Sequence, residues 1–231
     1  MILSSALLNF FKKIGPIIYP DHCIHCNSIC SSRICLTCEY QLRQHYDLLT
    51  MGNLFYSHFY NCLSVPYAAS LYPFIKEGVF QSMIHALKYH SDKAVGTLLG
   101  QHMGKHLLNH LSHKPDVIIP VPLHPKKLQK RGYNQSEVLA VGIQNITQIP
   151  VDTSWLIRKI HGPSQTKKSK KERITSLANS FGLTTDKKCT YQHILLVDDV
   201  ITTGSTLHAC INALSQHKNL KISVLVAGMG Q

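Results

Sequence analysis

The chain has 231 residues, of which 44% are apolar, and carries 24 Lys and Arg against 12 Asp and Glu for a formal net charge of +12. That apolar content excludes a disordered or fibrous chain, and the length allows one large domain, or one of ordinary size with a small appendage. The charge is uneven: 11 basic and 3 acidic residues between Val121 and Ser176 give a net +8 there. Such a patch suits an anionic partner, a small polyphosphate or a nucleic-acid backbone; the plain alternative is a solvated face.

The opening run from Met1 to Phe11 is apolar, but Lys12 and Lys13 follow it, the wrong order for a secretory signal. It is too short to span a bilayer. Leu3, Leu7, Phe10 and Ile14 share one helical face, so an amphipathic helix docked on the body is expected, with membrane-surface attachment as the lesser reading. No later segment approaches transmembrane length. A cytoplasmic protein with reduced or metal-bound thiols is expected.

Five of the eight cysteines fall between Cys23 and Cys38. Cys23, Cys26, Cys35 and Cys38 form two C-x2-C knuckles, the spacing of a closed tetrahedral zinc site that leaves no position for a catalytic water. Such a Zn2+ would be structural, supplying folding energy that a segment of about forty residues lacks. Cys30, His22 and His25 are neighbours that can each replace a ligand, and a redox dithiol is the competing use. Cys62, Cys189 and Cys210 read as small apolar residues.

From Gln41 to Tyr60 there is no clear periodicity, so a connector is expected there, dividing the chain into 1–60 and 61–231. Val65 to Ile75 reads as strand. Val79 to Tyr89 and Val95 to Leu111 read as helices separated by a cap at His90-Ser91-Asp92. Val117 to Pro122 is a second buried strand, stopped by its prolines. The loop from Pro122 to Gln135 is suited to an anion: Arg131 offers a bidentate fork, and Lys126 and Lys130 add point charges. A helix over Gln135 to Gln144, a short strand at Trp155 to Ile157 and a polar stretch from His161 to Ser176 follow. That stretch lacks apolar anchors and reads as a mobile loop able to close over a ligand. Lys221 to Ala227 reads as a last strand. The alternation of strand and helix predicts an α/β fold, a parallel sheet with helices on both faces.

The most informative run is His193 to Thr206. Ile194 to Val197 suits a buried parallel strand, and Leu207 to Leu214 has helical spacing, so Asp198, Asp199 and the turn from Thr202 to Thr206 lie at a strand's carboxyl end, where open α/β sheets bind ligands. Thr202, Thr203, Ser205 and Thr206 bring hydroxyls to a helix N-terminus, and Gly204 lets backbone come close, which together suit a phosphate. Asp198 and Asp199 can accept hydrogen bonds from two ribose hydroxyls. An acid pair after a strand also suits a signalling receiver's phosphoacceptor site, but a receiver needs no phosphate cradle directly after its acids.

This run resembles the signature of type I phosphoribosyltransferases, and the whole chain resembles the ComF family, phosphoribosyltransferase-like proteins linked to natural competence. The resemblance rests on the paired knuckles, Leu87-Lys88-Tyr89, Pro120-Val121-Pro122, Arg131 to Gln135, Leu156 with Arg158, Gln165-Thr166, Glu172-Arg173, Asn179 with Phe181, and Val197 to Thr206. It implies a type I phosphoribosyltransferase-like sheet plus a small N-terminal zinc module. It further implies that Asp198 and Asp199 meet a ribose, that Thr202 to Thr206 hold its 5-phosphate, and that Arg131 with Lys167, Lys171 and Arg173 contacts pyrophosphate bridged by Mg2+. Two uses then stand side by side. One is transfer of a phosphoribosyl group from phosphoribosyl pyrophosphate to an unknown nitrogen nucleophile, with Asp198, Asp199 and Arg131 as catalytic residues. The other is handling of incoming single-stranded DNA, in contact with competence machinery, with Tyr72, Phe74, Tyr89 and Tyr133 able to stack bases where exposed and otherwise serving the core.

Overall fold

The structure is a computed structural model that describes residues 21–44, 65–159, 180–185, 190–217 and 219–230. The expected N-terminal helix, Cys62, Cys189 and the polar stretch with Lys167, Lys171 and Arg173 lie outside those residues. In chain order the elements are α1 (Leu36–Gln44), β1 (Ala68–Pro73), α2 (Val79–Tyr89), α3 (Lys93–His110), β2 (Val117–Pro120), α4 (Pro125–Arg131) and α5 (Gln135–Thr147). They continue with β3 (Leu156–Arg158), β4 (Phe181–Leu183), β5 (His193–Ile201), α6 (Ser205–Leu214) and β6 (Lys221–Met229).

β1, β6, β5 and β2 pair in that order, all parallel. Their continuous apolar runs follow from burial on both faces. Successive residues of β5 point to opposite sides: Leu195 and Val197 join Met83, Leu99 and Ile143 of the helices on one face, while Ile194 and Leu196 join Leu207, Ile211 and Leu214 of α6 on the other. Helices therefore cover both faces, as expected from the alternation of elements.

Three local expectations change. The segment after β2 is not all loop: α4 starts with Pro125 behind a His124 cap and ends at Gly132 with φ 75°. Proline at the first helical position and glycine beyond the last are standard stops, and this helix buries no residue, so hydrophobic periodicity never marked it. The expected strand at Trp155 is β3, and it pairs antiparallel with β4 in a ribbon separate from the main sheet. The expected connector starts later, because α1 runs through Gln44.

α3 and α5 approach closely. Gly100 and Gly142 face each other, and a Cβ on Gly142 would lie 2.7 Å from the Gly100 Cα. Backbone cannot yield there as a flexible side chain can, so Gly142→Ala is expected to destabilise the protein by about 3 kcal/mol. Chemical denaturation checks this; an unchanged midpoint would mean that the helices are free to separate.

Candidate functional site

The carboxyl ends of all four parallel strands open on one cavity of about 770 Å³, whose walls include Phe74 after β1, Val121 after β2, Asp198 and Asp199 of β5, and Gly230 after β6. β2 stops at Pro120, opposite Val197, whereas β5 continues to Ile201 against β6. The overrun carries Asp198 and Asp199 past the last β2 pair, so their side chains meet the loops and helices above the sheet.

Asp198 accepts from the Ser136 hydroxyl at 2.9 Å and from the Asp199 N–H at 2.9 Å. Ser136 is placed by the start of α5. There the Asn134 side chain donates to the Val121 carbonyl at 3.0 Å and accepts the Ser136 N–H at 3.1 Å, capping the helix. Burial and the neighbouring Asp199 push Asp198 up to about 7, against the hydrogen bonds and Lys88 that favour its charge. Asp199 pairs with Lys88 of α2 at 2.9 Å, both side chains largely covered.

The turn after β5 divides its residues. Thr202 and Thr206 line the cavity, while Thr203 and Ser205 are exposed and bond to each other at 2.9 Å. Gly204 is buried with φ 70°, a conformation that a side chain disfavours, and it stands at the N-cap of α6, where the Ser205 N–H donates to Thr203 Oγ1 at 3.5 Å. Arg131 also lines the cavity; it donates to Gln135 Oε1 at 2.8 Å and lies 5.9 Å from the Tyr89 ring centroid. Lys126 and Lys130 are exposed and do not line the cavity; Lys127 of the same helix does, as does Arg158, packed over Phe181 at 5.0 Å.

The cavity therefore brings together Asp198, Asp199, Thr202, Thr206 and Arg131, all named from the sequence, and adds Lys88, Ser136, Lys127 and Arg158, to which no site role was given. Of the four aromatic candidates, Tyr72 and Tyr133 are buried, Phe74 is half-buried and Tyr89 is 59% exposed. Two acids, a hydroxyl turn and four cations around one cavity, with Lys88 already paired to Asp199, suit an anion that also carries hydroxyl groups.

At the far end of α2 the Sγ atoms of Cys23, Cys26, Cys35 and Cys38 all lie within 4.8 Å of one another. Four thiolates on one metal at about 2.3 Å stand about 3.8 Å apart, so this donor set fits a tetrahedral zinc site with small adjustments. The Ser28 hydroxyl and amide, with the Cys35 thiol, hold the Cys26 thiol down to about 6, while burial and the neighbouring thiols push the Cys38 thiol up, so a metal would have to displace its proton. The neighbours point elsewhere: the Cys30 thiol donates to the Ser32 carbonyl at 2.8 Å, and His25 Nδ1 meets Ser82 Oγ at 3.0 Å. His22 is exposed in a bridge with Ile29.

No helix among the described residues is long and apolar enough to cross a membrane. No family model matches the chain. The chain is 30% identical over 220 residues to Competence protein F of Haemophilus influenzae, spanning 87% of this chain and 90% of that protein. Competence protein ComFC of Bacillus subtilis is 34% identical over 98 residues, 42% of this chain and 38% of its own length. The DNA utilization protein YhgH of Escherichia coli O157:H7 is 30% identical over 129 residues, 54% of this chain and 56% of its own length. Among solved structures, the glutamine phosphoribosylpyrophosphate amidotransferase of B. subtilis matches 58% of this chain and 26% of its own with 20% identity and a TM-score of 0.40. The adenine phosphoribosyltransferase of Leishmania tarentolae matches 63% and 74% with 10% identity and a TM-score of 0.38.

Proposed function

Because this chain belongs to the ComF family of competence proteins, we propose that it is a competence-associated protein whose cavity binds phosphoribosyl pyrophosphate or a related ribose phosphate, and that it handles single-stranded DNA during natural transformation. The observation that carries this reading is the meeting of Asp198 and Asp199 with Thr202 and Thr206 in one cavity at the sheet's carboxyl edge. The acids accept the ribose hydroxyls, the turn and the α6 N-terminus take the 5-phosphate, and Arg131, Lys127 and Arg158 meet further phosphate charge. The pyrophosphate of the ligand would carry a Mg2+, a hard cation on oxygen donors, which would supply charge neutralisation beside Arg131.

Arg131, Lys127 and Arg158, which line the cavity together with the acids, favour a second reading, in which the protein turns the ligand over. A nitrogen nucleophile would attack the ribose C1, the C1–O bond would break with its electron pair leaving on pyrophosphate, and the acceptor would lose its N–H proton. The chain's part is to fix the sugar and to stabilise charge on the departing group through Arg131.

Calorimetric titration with phosphoribosyl pyrophosphate and Mg2+, repeated after incubation with single-stranded DNA, tests the proposal. Binding to the free protein is expected, with DNA changing that affinity and the ligand changing DNA affinity by the same factor. DNA affinity should also fall steeply with ionic strength. No binding of the ribose phosphate in either state would overturn the pocket assignment.

A further inference from the structure

α4 buries no residue, yet four of its 7 residues are cations and none is an acid. No acidic residue occurs between Asp116 and Glu137. Among the described residues none of the four cations pairs with a carboxylate. At the spacing of one turn they form two rows of like charge, Lys127 with Arg131 and Lys126 with Lys130. The first row lines the cavity at Asp198; the second is exposed and stands outside it.

Like charges one turn apart weaken a helix, and so short a helix without a buried face gains nothing from packing to offset them. Burial first, and then the charges of Arg158, Lys126 and Lys127, hold the neighbouring His124 imidazole below its usual range. An anion laid along the outer row would relieve the repulsion. Two exposed lysines hold a lone phosphate ion only weakly, whereas a polymer of phosphates makes a contact at each charge and releases a counterion with every one.

We propose that the outer row, Lys126 and Lys130, is a contact surface for the phosphate backbone of single-stranded DNA, so that one short helix serves the cavity with one row of cations and the strand with the other. The inference rests on the reading of this protein as one that handles single-stranded DNA. α4 is about 10 Å long, and a flexible strand can follow it along the rim of the cavity. A duplex, stiff over about 150 base pairs, meets so short a helix only at a tangent. A lipid surface fits less well, because Leu128, 43% exposed, is the one large apolar residue that α4 could insert.

Fluorescence anisotropy with a labelled oligothymidylate over a range of salt tests this on the wild type, on Lys126→Gln with Lys130→Gln, and on Lys105→Gln with Lys114→Gln, which removes the same charge from exposed positions elsewhere. Glutamine suits a helix and the outer row buries nothing, so the fold is kept. The outer-row variant is expected to bind the oligothymidylate about 20-fold more weakly at 0.1 M salt, and to lower the slope of log affinity against log salt by about 1.4, two phosphate contacts at about 0.7 each. Its affinity for phosphoribosyl pyrophosphate with Mg2+ should change by less than about twofold in that salt, since both side chains lie outside the cavity. The remote variant should match the wild type in both. If the wild type binds the oligothymidylate and the outer-row variant keeps its affinity and slope, or the remote variant loses as much, the assignment to α4 is overturned and the reading as a DNA-handling protein stands. A duplex that binds as tightly through the same two lysines would overturn the single strand as occupant. Binding to phosphatidylglycerol vesicles that the outer-row variant loses, with its oligothymidylate affinity unchanged, would give the row to a lipid surface instead. If the wild type binds no oligothymidylate, the inference and the DNA reading fall together while the cavity's ligand is untouched.

Discussion

Replacing Cys38 by Ser, or stripping metal with a chelator, will lower the melting temperature of the whole protein by about 10 °C, the equivalent of about 4 kcal/mol for a chain of this size. The reason is packing. Cys23, Ile34, Cys38 and Leu42 are buried in the same core cluster as Met83, Leu99 and Ile143, which cover one face of the sheet. Two polar ties add to this contact: His25 with Ser82 and Arg33 with Asp92. A module that loses its metal loses the bonds that draw its four sulfurs to one point, and Leu42 and Ile34 then leave the face they cover. Cys30→Ser is the control, because its thiol bonds within its own loop and stands outside the cluster; it should change the melting temperature by no more than about 1 °C. Metal analysis should find one zinc per chain in the wild type and in Cys30→Ser, and a clear loss in Cys38→Ser. Full zinc content and an unchanged melting temperature in Cys38→Ser would exclude the four-thiolate site.

What sequence reasoning read well was local or periodic. Asp198, Asp199 and the Thr202–Thr206 turn are consecutive, so the strand that precedes them and the helix that follows suffice to place them at one edge. The cysteine pairs are likewise local, each knuckle needing only its own turn. α4 escaped because its seven residues bury nothing, although Pro125 and Gly132 marked both of its ends. β4 escaped because three residues carry no alternation; it is a strand only through pairing with β3. Lys88 and Ser136 were out of reach for a different reason. Each belongs to a helix whose own pattern shows which face is buried, but their partners are the acids of a strand far along the chain, and only the packing of α2 and α5 against the sheet brings them together. Lys126 and Lys130 illustrate the converse: charge density pointed to the right segment, while the direction of a helix decided that Lys127 is the residue turned inward.

Asp198→Asn will abolish ribose phosphate binding and stabilise the ligand-free protein, and the sign of both effects follows from one titration. In the folded chain, burial and Asp199 raise the Asp198 carboxyl from an ordinary value near 3.8 to about 7. Between those values the folded state holds a proton that the unfolded state has released, so this group makes stability fall as pH rises from about 4 to about 7, with no further change above. The asparagine amide carries no such cost, and its oxygen can still accept from Ser136 and the Asp199 N–H. At pH 8 the variant should melt about 5 °C higher than the wild type, and at pH 4 the two should coincide. Binding runs the other way. A ribose hydroxyl needs the carboxylate as acceptor, so ligand affinity in the wild type should rise with pH, by up to about tenfold per unit below 7, and level off above it. The phosphate of the ligand contributes its own step near pH 6, which any residual binding by the variant would retain and which the wild type should exceed. Asp199→Asn separates the two acids: it removes the partner of Lys88 and the charge that helps raise Asp198, so the wild-type step near 7 should move to lower pH. Thermal melts and titrations between pH 4 and pH 9 measure all of these. Wild-type affinity that is flat across that range, or an Asp198→Asn variant that binds ribose phosphate as well as the wild type, would remove Asp198 from the site.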